Sequence, residues 1–162
     1  MPVWGWAAPG EQVTIAMDDM RAAAADQDGK WLAVLPAQPA GGPTRLSATG
    51  PRNSDVVEDV LVGEVWLGSG QSSMQFQVKA ALDAHSEMAA ADLPNVRLLT
   101  VWPSRDCNAP RDDVSTRAWR VCSPDTVGSF SAVAFFFGRM LHDELGVPIG
   151  LINASYGGTM IE

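Results

Sequence analysis

The second half of the chain alternates short apolar runs with segments of helical periodicity, and this alternation constrains the fold more than any other feature. The apolar runs at 64–67, 96–102 and 148–153 have the length of strands. A helical pattern over 77–91 separates the first two runs, and another over 129–145 precedes the third. Strands that alternate with helices are typical of a parallel sheet with crossover helices. This half of the chain is therefore predicted to be α/β, with a doubly wound parallel sheet.

The first half of the chain instead contains short strand-like segments that are broken by turn residues. The segments at 12–17, 30–35 and 44–49 are strand candidates, and in the first of them Val13, Ile15 and Met17 alternate with polar or small residues. A small antiparallel β unit is therefore expected ahead of the α/β part.

Two polar segments punctuate this β unit. Asp26-Gln-Asp-Gly29 is interpreted as a hairpin turn, because the further oxygen ligands and the terminal glutamate of an EF-hand calcium loop are absent. Pro51-Arg-Asn-Ser-Asp55 is interpreted as a joint between domains. The predicted domains are thus a partial β-sandwich over 1–56 and an α/β domain over 57–162.

Composition and charge limit the classes of partner. Hydrophobic residues make up 46% of the 162 residues and charged residues 19%, which is typical of a globular protein. Nineteen acidic against eleven basic side chains give a net charge of −8, which disfavours nucleic acid and anionic membranes as partners. No apolar run approaches the roughly 20 residues of a membrane helix. The first residues lack the layout of a signal peptide, so the localisation is not predicted.

The chain contains two cysteines, Cys107 and Cys122. Two cysteines are too few for a disulfide framework or a zinc site of their own. Two reduced thiols are favoured over a single bridge between them, because no export signal is evident. No metal or cofactor is predicted.

The segment Gly68-Ser-Gly-Gln-Ser-Ser-Met74 lies between the first strand and the first helix of the α/β part. A tight glycine turn at such a junction exposes a side chain and leaves the first N–H groups of the helix unpaired, so it suits a nucleophilic serine and an oxyanion. The structural alternative is that Ser72 or Ser73 caps the helix.

The same segment carries a family resemblance. Gly63-Glu-Val-Trp-Leu-Gly-Ser-Gly-Gln-Ser-Ser-Met74 resembles the Gly-Glu-Val-Trp-Leu-Cys-Ser-Gly-Gln-Ser-Asn-Met segment of the sialate O-acetylesterase and acetylxylan esterase group of the SGNH hydrolases. Further similar segments follow the family order, at 3–6, 28–31, 130–134, 137–139, 147–153 and 157–159. The resemblance implies an incomplete flavodoxin-like sheet in which the strands at 64–67 and 149–153 are parallel neighbours.

The resemblance also implies roles for individual residues. Ser72 is implied to be the nucleophile, with Gln71 and Ser73 beside it in the substrate-binding shell. Gly157 and Gly158 match a second motif whose glycine donates a backbone N–H to the oxyanion, and Gly158 is the favoured donor. Ser73 stands where the family usually has asparagine, and Gly68 and Tyr156 replace a cysteine and a tryptophan.

Several elements of the family are not found in the sequence. These are an asparagine in a Gln-Gly-Glu-x-Asn stretch and the Asp-x-His-Pro stretch that supplies the acid and the base. The two histidines, His85 and His142, lie in helical patterns and are interpreted as surface residues. The chain is therefore expected to be an N-terminal fragment that is weak or inactive alone and has an exposed apolar sheet edge.

The leading functional hypothesis is a serine esterase that removes O-acetyl groups from carbohydrates, either sialate or neutral glycans such as xylan. The alternative is a non-catalytic carbohydrate-binding or accessory module with exposed tryptophans. Core or interface packing is favoured over sugar contact for Trp4, Trp6 and Trp31, because aromatic side chains dominate buried area. A phosphate-binding turn is disfavoured, since the lysine of a P-loop is missing. The oligomeric state is not predicted.

Overall fold

The computed structural model describes residues 1–17, 20–104 and 113–158. The chain divides into two compact units, Met1–Val62 and Gly63–Glu162. We refer to them as unit 1 and unit 2. This division lies beyond the boundary predicted at residue 56, because residues 50–53 connect two paired strands, and Ser54 and Asp55 already belong to the second of them. The strand that follows this connection still pairs within unit 1.

The regular secondary structure described in unit 1 consists of strands. Their bounds are Pro2–Trp6 (β1), Gln12–Ala16 (β2), Met20–Ala24 (β3), Lys30–Val34 (β4), Gly41–Thr49 (β5) and Ser54–Val62 (β6). β1 and β4 form an antiparallel pair, and the other four form an antiparallel sheet in the order β3-β2-β5-β6. The antiparallel β unit predicted from the sequence is confirmed, although β1, β3 and β6 were not among the predicted strands.

The core of unit 1 forms from alternate residues of its strands. The buried side chains of this core are Val13, Ile15, Ala25, Trp31, Ala33 and Leu35. Because side chains alternate between the two faces of a strand, Trp31 and Ala33 point inward from β4 while their neighbours point outward. The packing role predicted for Trp31 is therefore confirmed.

The turn at 26–29 does not close a hairpin, contrary to the sequence interpretation. It connects β3 to β4, and these strands belong to different sheets. The Asp26 side chain organises the turn, since its Oδ1 accepts the N–H groups of Asp28 and Lys30, each at 2.9 Å. The turn chemistry was therefore read correctly, but the strand pairing depends on contacts with more distant segments.

Unit 2 alternates strands and helices. Its strands are Glu64–Gly70 (β7), Leu93–Thr100 (β8), Arg120–Cys122 (β9) and Ile149–Ser155 (β10). Its helices are Ser72–Gln75 (α1), Ala84–Ala89 (α2), Pro124–Val127 (α3) and Ala132–Leu145 (α4). This is the α/β fold that the alternation in the sequence predicts.

The sheet of unit 2 has the order β7-β10-β8-β9. β10 is parallel to both β7 and β8, and β9 is antiparallel to β8. The predicted parallel pairing of β7 with β10 is confirmed. A flavodoxin-like order would also place β7 beside β8, but β10 lies between them. The carboxyl ends of β7 and β10 meet, since Ser155 is the register partner of Gly70.

The helix α4 agrees closely with the prediction for 129–145. Ser131 caps its start by accepting the Ala134 N–H at 3.1 Å, and Gly146 ends it with a φ of +64°. Its Phe135 is fully buried against the sheet, as are Ile149 and Leu151 of β10. Burial of one such side chain contributes about 1.5–3 kcal/mol, so this packing holds β10 in place.

The continuous helix predicted over 77–91 is wrong. A short 3-10 helix at Val78–Ala80 is separated from α2 by an extended Ala81 and a left-handed Asp83 with φ +54°. The N–H groups of Val78 and Lys79 donate to the carbonyls of Phe130 and Gly128 and not along a helix. These long-range bonds replace the helical ones that the local pattern favours.

No helix in the described part of the chain is both long enough and apolar enough to span a membrane. Within the described sheet of unit 2, β7 is an outer strand. Its Val65 and Leu67 are 62% and 65% exposed. The expected apolar sheet edge is therefore present among the described strands.

Candidate active site

The turn between β7 and α1 presents Ser72. Gly70 has a φ of +144°, in a region that residues with a Cβ rarely adopt, so glycine permits the chain to turn here. The Gln75 N–H donates to the Gln71 carbonyl at 2.9 Å and closes the single turn of α1. Ser72 and Ser73 occupy its first positions, and both are exposed.

Helix capping does not account for either serine. The residue at the N-cap of α1 is Gln71, and no side chain caps this helix by a hydrogen bond. Ser72 and Ser73 lie inside the helix, where a hydroxyl is not needed for the turn. The structural alternative raised from the sequence is thus not supported.

Met74 holds the turn against the start of α4. Its Sδ accepts a hydrogen bond from the Ser131 Oγ at 3.4 Å, and Ser131 is fully buried at the start of α4. A Cβ on Gly68 would lie 3.3 Å from the same sulfur, so the glycine leaves room for Met74. The position of Ser72 is therefore coupled to the packing of α4 against the sheet.

The end of β10 brings a second segment to the same place. The Tyr156 N–H donates to the Gly70 carbonyl at 2.9 Å, which continues the pairing of β10 with β7. Just before it, the buried Asn153 Oδ1 accepts both the N–H and the Oγ–H of Ser155, at 3.2 and 2.6 Å. These bonds fix the strand end from which Gly157 and Gly158 follow.

Gly157 lies directly beside Ser72. A Cβ on Gly157 would be 3.3 Å from the Ser72 Oγ and 2.5 Å from the Gln75 Oε1. The Gly157 N–H already donates to this Oε1 at 2.9 Å. Gly158 has a φ of +81°, and no heavy atom lies within 4 Å of the place that its Cβ would take. The two predicted motifs thus meet at one end of the sheet, and of the two glycines Gly158 has the more open surroundings.

An open depression of about 400 Å³ adjoins these residues and is lined by Ser72, Ser73 and Phe76. Gln71 is half-buried at the base of the turn, so of the predicted shell residues Ser73 alone lines the depression. The Ser72 side chain is thus accessible to a small acyl group from solvent.

Neither histidine makes a hydrogen bond to Ser72 in the described part of the chain. The His142 Nδ1 is 2.8 Å from the Val147 carbonyl, near the end of α4 and ahead of β10. Because Ser72 follows the carboxyl end of the sheet, His142 lies toward the opposite end. His85 is exposed on α2. His85 agrees with the surface interpretation made from the sequence, whereas His142 is half-buried.

Cys122 is buried and free, with its Sγ 3.8 Å from the Ala91 carbonyl. Burial raises the pKa of the Cys122 thiol from 9.0 to about 11. It is thus an inert core residue at neutral pH, since the thiolate is the reactive form. Cys107 lies outside the described residues. Among the described side chains, no group of three or more His, Cys, Asp or Glu residues could hold a metal ion.

Two contributors to the site were not found from the sequence. Gln75 holds the Gly157 N–H, and Ser131 holds Met74. Gln75 gives no local signal, because its partner is 82 positions away. Ser131 was recognisable as the start of a helix, but its contact with the turn was not.

No family model matches the chain. Sialate O-acetylesterases from Pongo abelii and Homo sapiens are each 35% identical to it over 179 residues, and that from Mus musculus is 33% identical. The alignments cover 99% of this chain and 33–34% of the relatives, so the chain spans about a third of their length.

Among solved structures, a carbohydrate acetylesterase from Xanthomonas citri superimposes with a TM-score of 0.96 at 37% identity. The match covers 100% of this chain and 38% of that one. The fold therefore places the chain in the class of α/β proteins to which this acetylesterase belongs. The likeness to the three mammalian enzymes is more specific, and the chain belongs to the sialate O-acetylesterase group.

Proposed function

We propose that this chain carries the nucleophile segment of a carbohydrate O-acetylesterase of the SGNH type, with Ser72 as the nucleophile. The observation that carries the proposal is the position of the Ser72 Oγ, 3.3 Å from the Cβ position of Gly157 at the end of the neighbouring parallel strand. The names of the relatives, sialate O-acetylesterase and carbohydrate acetylesterase, support the substrate class.

The Ser72 Oγ attacks the acetyl carbon, and its proton passes to a general base. The tetrahedral intermediate collapses, the ester bond to the sugar oxygen breaks, and the sugar leaves as an alcohol after protonation. Water then attacks the acetyl group on Ser72, releases acetate and restores the hydroxyl. No step in this sequence requires a metal.

The oxyanion is stabilised by backbone N–H groups, and each such donor commonly contributes about 2.7–4 kcal/mol of barrier reduction. Gly158 is the favoured donor beside the Ser72 N–H, because the Gly157 N–H is already engaged by the Gln75 side chain. Gly157 instead holds the end of β10 against α1. Its lack of a Cβ leaves room for the Ser72 hydroxyl.

In the described part of the chain, neither histidine makes a hydrogen bond to Ser72 that would let it act as the general base. A base must come within about 3 Å of the serine, directly or through one water. His142 is engaged at the Val147 carbonyl, and His85 is exposed on a separate helix. We therefore propose that the acid and base come from outside these 162 residues and that the chain alone is a weak or inactive esterase.

Covalent capture of the serine tests the proposed nucleophile. A fluorophosphonate probe should form an Oγ–P bond at Ser72 as its P–F bond breaks and fluoride leaves with the hydroxyl proton. The reaction should be slow because no base assists, and peptide mapping by mass spectrometry would locate the adduct. The Ser72→Ala variant should lose the adduct. Ser69→Ala is the matched control, since Ser69 is an exposed serine of the same segment. Capture that survives in Ser72→Ala would refute the assignment.

Turnover tests the missing base separately. Hydrolysis of 4-nitrophenyl acetate is measured for this chain and for a version extended through an Asp-x-His-Pro segment of the family type. The short chain should retain at most the residual rate of a site without its triad, about 10³–10⁴ over water. If the short chain matched the extended one and lost its activity on Ser72→Ala, a base would exist within it.

A further inference from the structure

Unit 1 has an outward-facing row of aromatic and apolar side chains. On β1, Trp4 and Trp6 are 66% and 64% exposed. The cross-strand partner of Trp4 is Leu32, which is 60% exposed, and the partner of Trp6 is Lys30. Of the core or interface packing predicted for Trp4 and Trp6, the core packing is not found within unit 1, and the interface packing stays a prediction. Both side chains are exposed because Gly5 and Trp31 occupy the inner face of the same strand pair.

A cleft of about 310 Å³ lies beside this row, entirely within unit 1. Trp6 forms one side of it. The polar side chains that line it are Glu11, Arg52, Asn53 and Asp55. An apolar ring beside a few convergent polar groups is the usual composition of a small-molecule site.

Among the polar groups of the cleft, the Glu11 carboxylate is held by local contacts, whereas the Arg52, Asn53 and Asp55 side chains are exposed. The Glu11 Oε2 accepts the Ala8 N–H at 3.0 Å and lies 3.6 Å from the Arg52 Nη2. The Glu11 side chain is 12% exposed, so its carboxylate is largely shielded from solvent where it lines the cleft. Asn53 is the last residue of the β5–β6 connection, where the Gly50 N–H donates to the Asn53 carbonyl at 3.0 Å.

We propose that this cleft is a carbohydrate-binding site, separate from Ser72, that takes one pyranose of a neutral glycan against the Trp6 ring. The C–H face of a pyranose is apolar and stacks on an indole, while its hydroxyls both donate and accept hydrogen bonds. Glu11 and Asp55 accept, Arg52 donates, and the Asn53 amide does both. The choice of a sugar over other amphipathic ligands rests on the proposed function.

The charge of the cleft favours a neutral sugar. Glu11 and Asp55 oppose the single cation Arg52, so the lining residues give no excess of positive charge to attract a carboxylate or phosphate. Trp4 extends the surface along the strand. Two residues of a strand span about 6.5 Å, so a second sugar unit can contact Trp4 while the first lies on Trp6.

Binding is measured by isothermal titration calorimetry with xylohexaose, and with sialyllactose as the anionic comparison. All proteins carry Ser72→Ala, so that no ester chemistry contributes. We expect saturable binding of xylohexaose. The affinity should fall at least tenfold in Trp6→Ala and by less in Trp6→Phe, which keeps an aromatic ring. Asn53→Ala should weaken the binding of xylohexaose, because it removes the amide but keeps the Trp6 ring. Trp102→Ala, an exposed tryptophan of unit 2, is the matched control and should bind as its parent does.

Three results would overturn the proposal. They are no saturable binding of xylohexaose, binding that persists in Trp6→Ala, or binding of sialyllactose alone. Loss of self-association in Trp6→Ala without any glycan binding would instead assign the row to a protein interface. If no glycan binds at the cleft but the fluorophosphonate captures Ser72, the cleft proposal fails and the proposed esterase function stands. If glycan binds at the cleft but the fluorophosphonate does not capture Ser72, the cleft proposal stands and the esterase function is refuted.

Discussion

Replacement of Gly157 by alanine should separate the stability of unit 2 from the chemistry at Ser72. Gly157 is not among the residues with a positive φ, so its backbone accepts alanine, and the effect comes from the added methyl group. That methyl would lie 2.5 Å from the Gln75 Oε1 and 3.3 Å from the Ser72 Oγ. Gln75 is exposed and can move, but its bond to the Gly157 N–H is then lost.

The expected cost in stability is small and the expected cost in turnover is large. Loss of one exposed hydrogen bond costs about 0.5–1.5 kcal/mol. In a domain of this size that lowers the Tm by roughly 4–8 °C per kcal/mol. A displacement of about 1 Å at a reacting group can reduce the rate about 10²-fold. We therefore expect a modest fall in Tm together with a loss of turnover of about 10²-fold.

Gly146→Ala is the matched control. Gly146 has a φ of +64° and open space around its Cβ position, so alanine there costs about 1–2 kcal/mol of backbone strain without a clash. It ends α4, away from the turn that holds Ser72. Thermal unfolding is measured on this chain by circular dichroism. Turnover of 4-nitrophenyl acetate is measured in the extended version of the chain. Equal turnover in the two variants would refute the placement of Gly157 beside the reacting hydroxyl.

Two further predictions concern Cys122 and the sheet edge. Because burial raises the pKa of Cys122 from 9.0 to about 11, the folded state keeps the thiol protonated while the unfolded state ionises. Stability should therefore be intact below pH 9 and fall by on the order of 2 kcal/mol as the pH rises towards 11. In urea unfolding, the free energy of unfolding of Cys122→Ala should lack this part of the decrease with pH. An equal pH dependence in the variant and the parent protein would contradict the prediction. At the edge, Leu67→Lys should reduce concentration-dependent association in sedimentation velocity, whereas Leu82→Lys, at an 87% exposed leucine outside the sheet, should not. A chain that stays monomeric at high concentration before any substitution would contradict the second prediction.

The elements that the sequence predicted well are those whose signal is local. The run at 64–67 is a strand because it is short and apolar. The segment at 129–145 is a helix because its apolar residues repeat at helical spacing between Ser131 and Gly146. The turn that carries Ser72 was recognisable for the same reason, since its glycines and polar residues are adjacent in the chain.

The elements that the sequence predicted poorly depend on distant partners. The helix expected over 77–91 is interrupted because Val78 and Lys79 donate to carbonyls near Gly128 and Phe130. β9 has three residues and forms by pairing with β8, a partner that its own residues do not specify. Local propensity is a weak prior in such places, because tertiary hydrogen bonds outweigh it.

The sequence by itself determined the class of fold, the three parallel strands and the main helix of unit 2, and the serine to examine. The tertiary structure alone decided that Trp4 and Trp6 face outward, since this follows from the register of β1 on β4. It also decided that Gly157 lies beside Ser72, because the parallel pairing of β10 with β7 joins two strand ends that are far apart in the chain. The periodicity of apolar residues indicates which face of a helix or strand is buried. It does not indicate which distant element packs on that face.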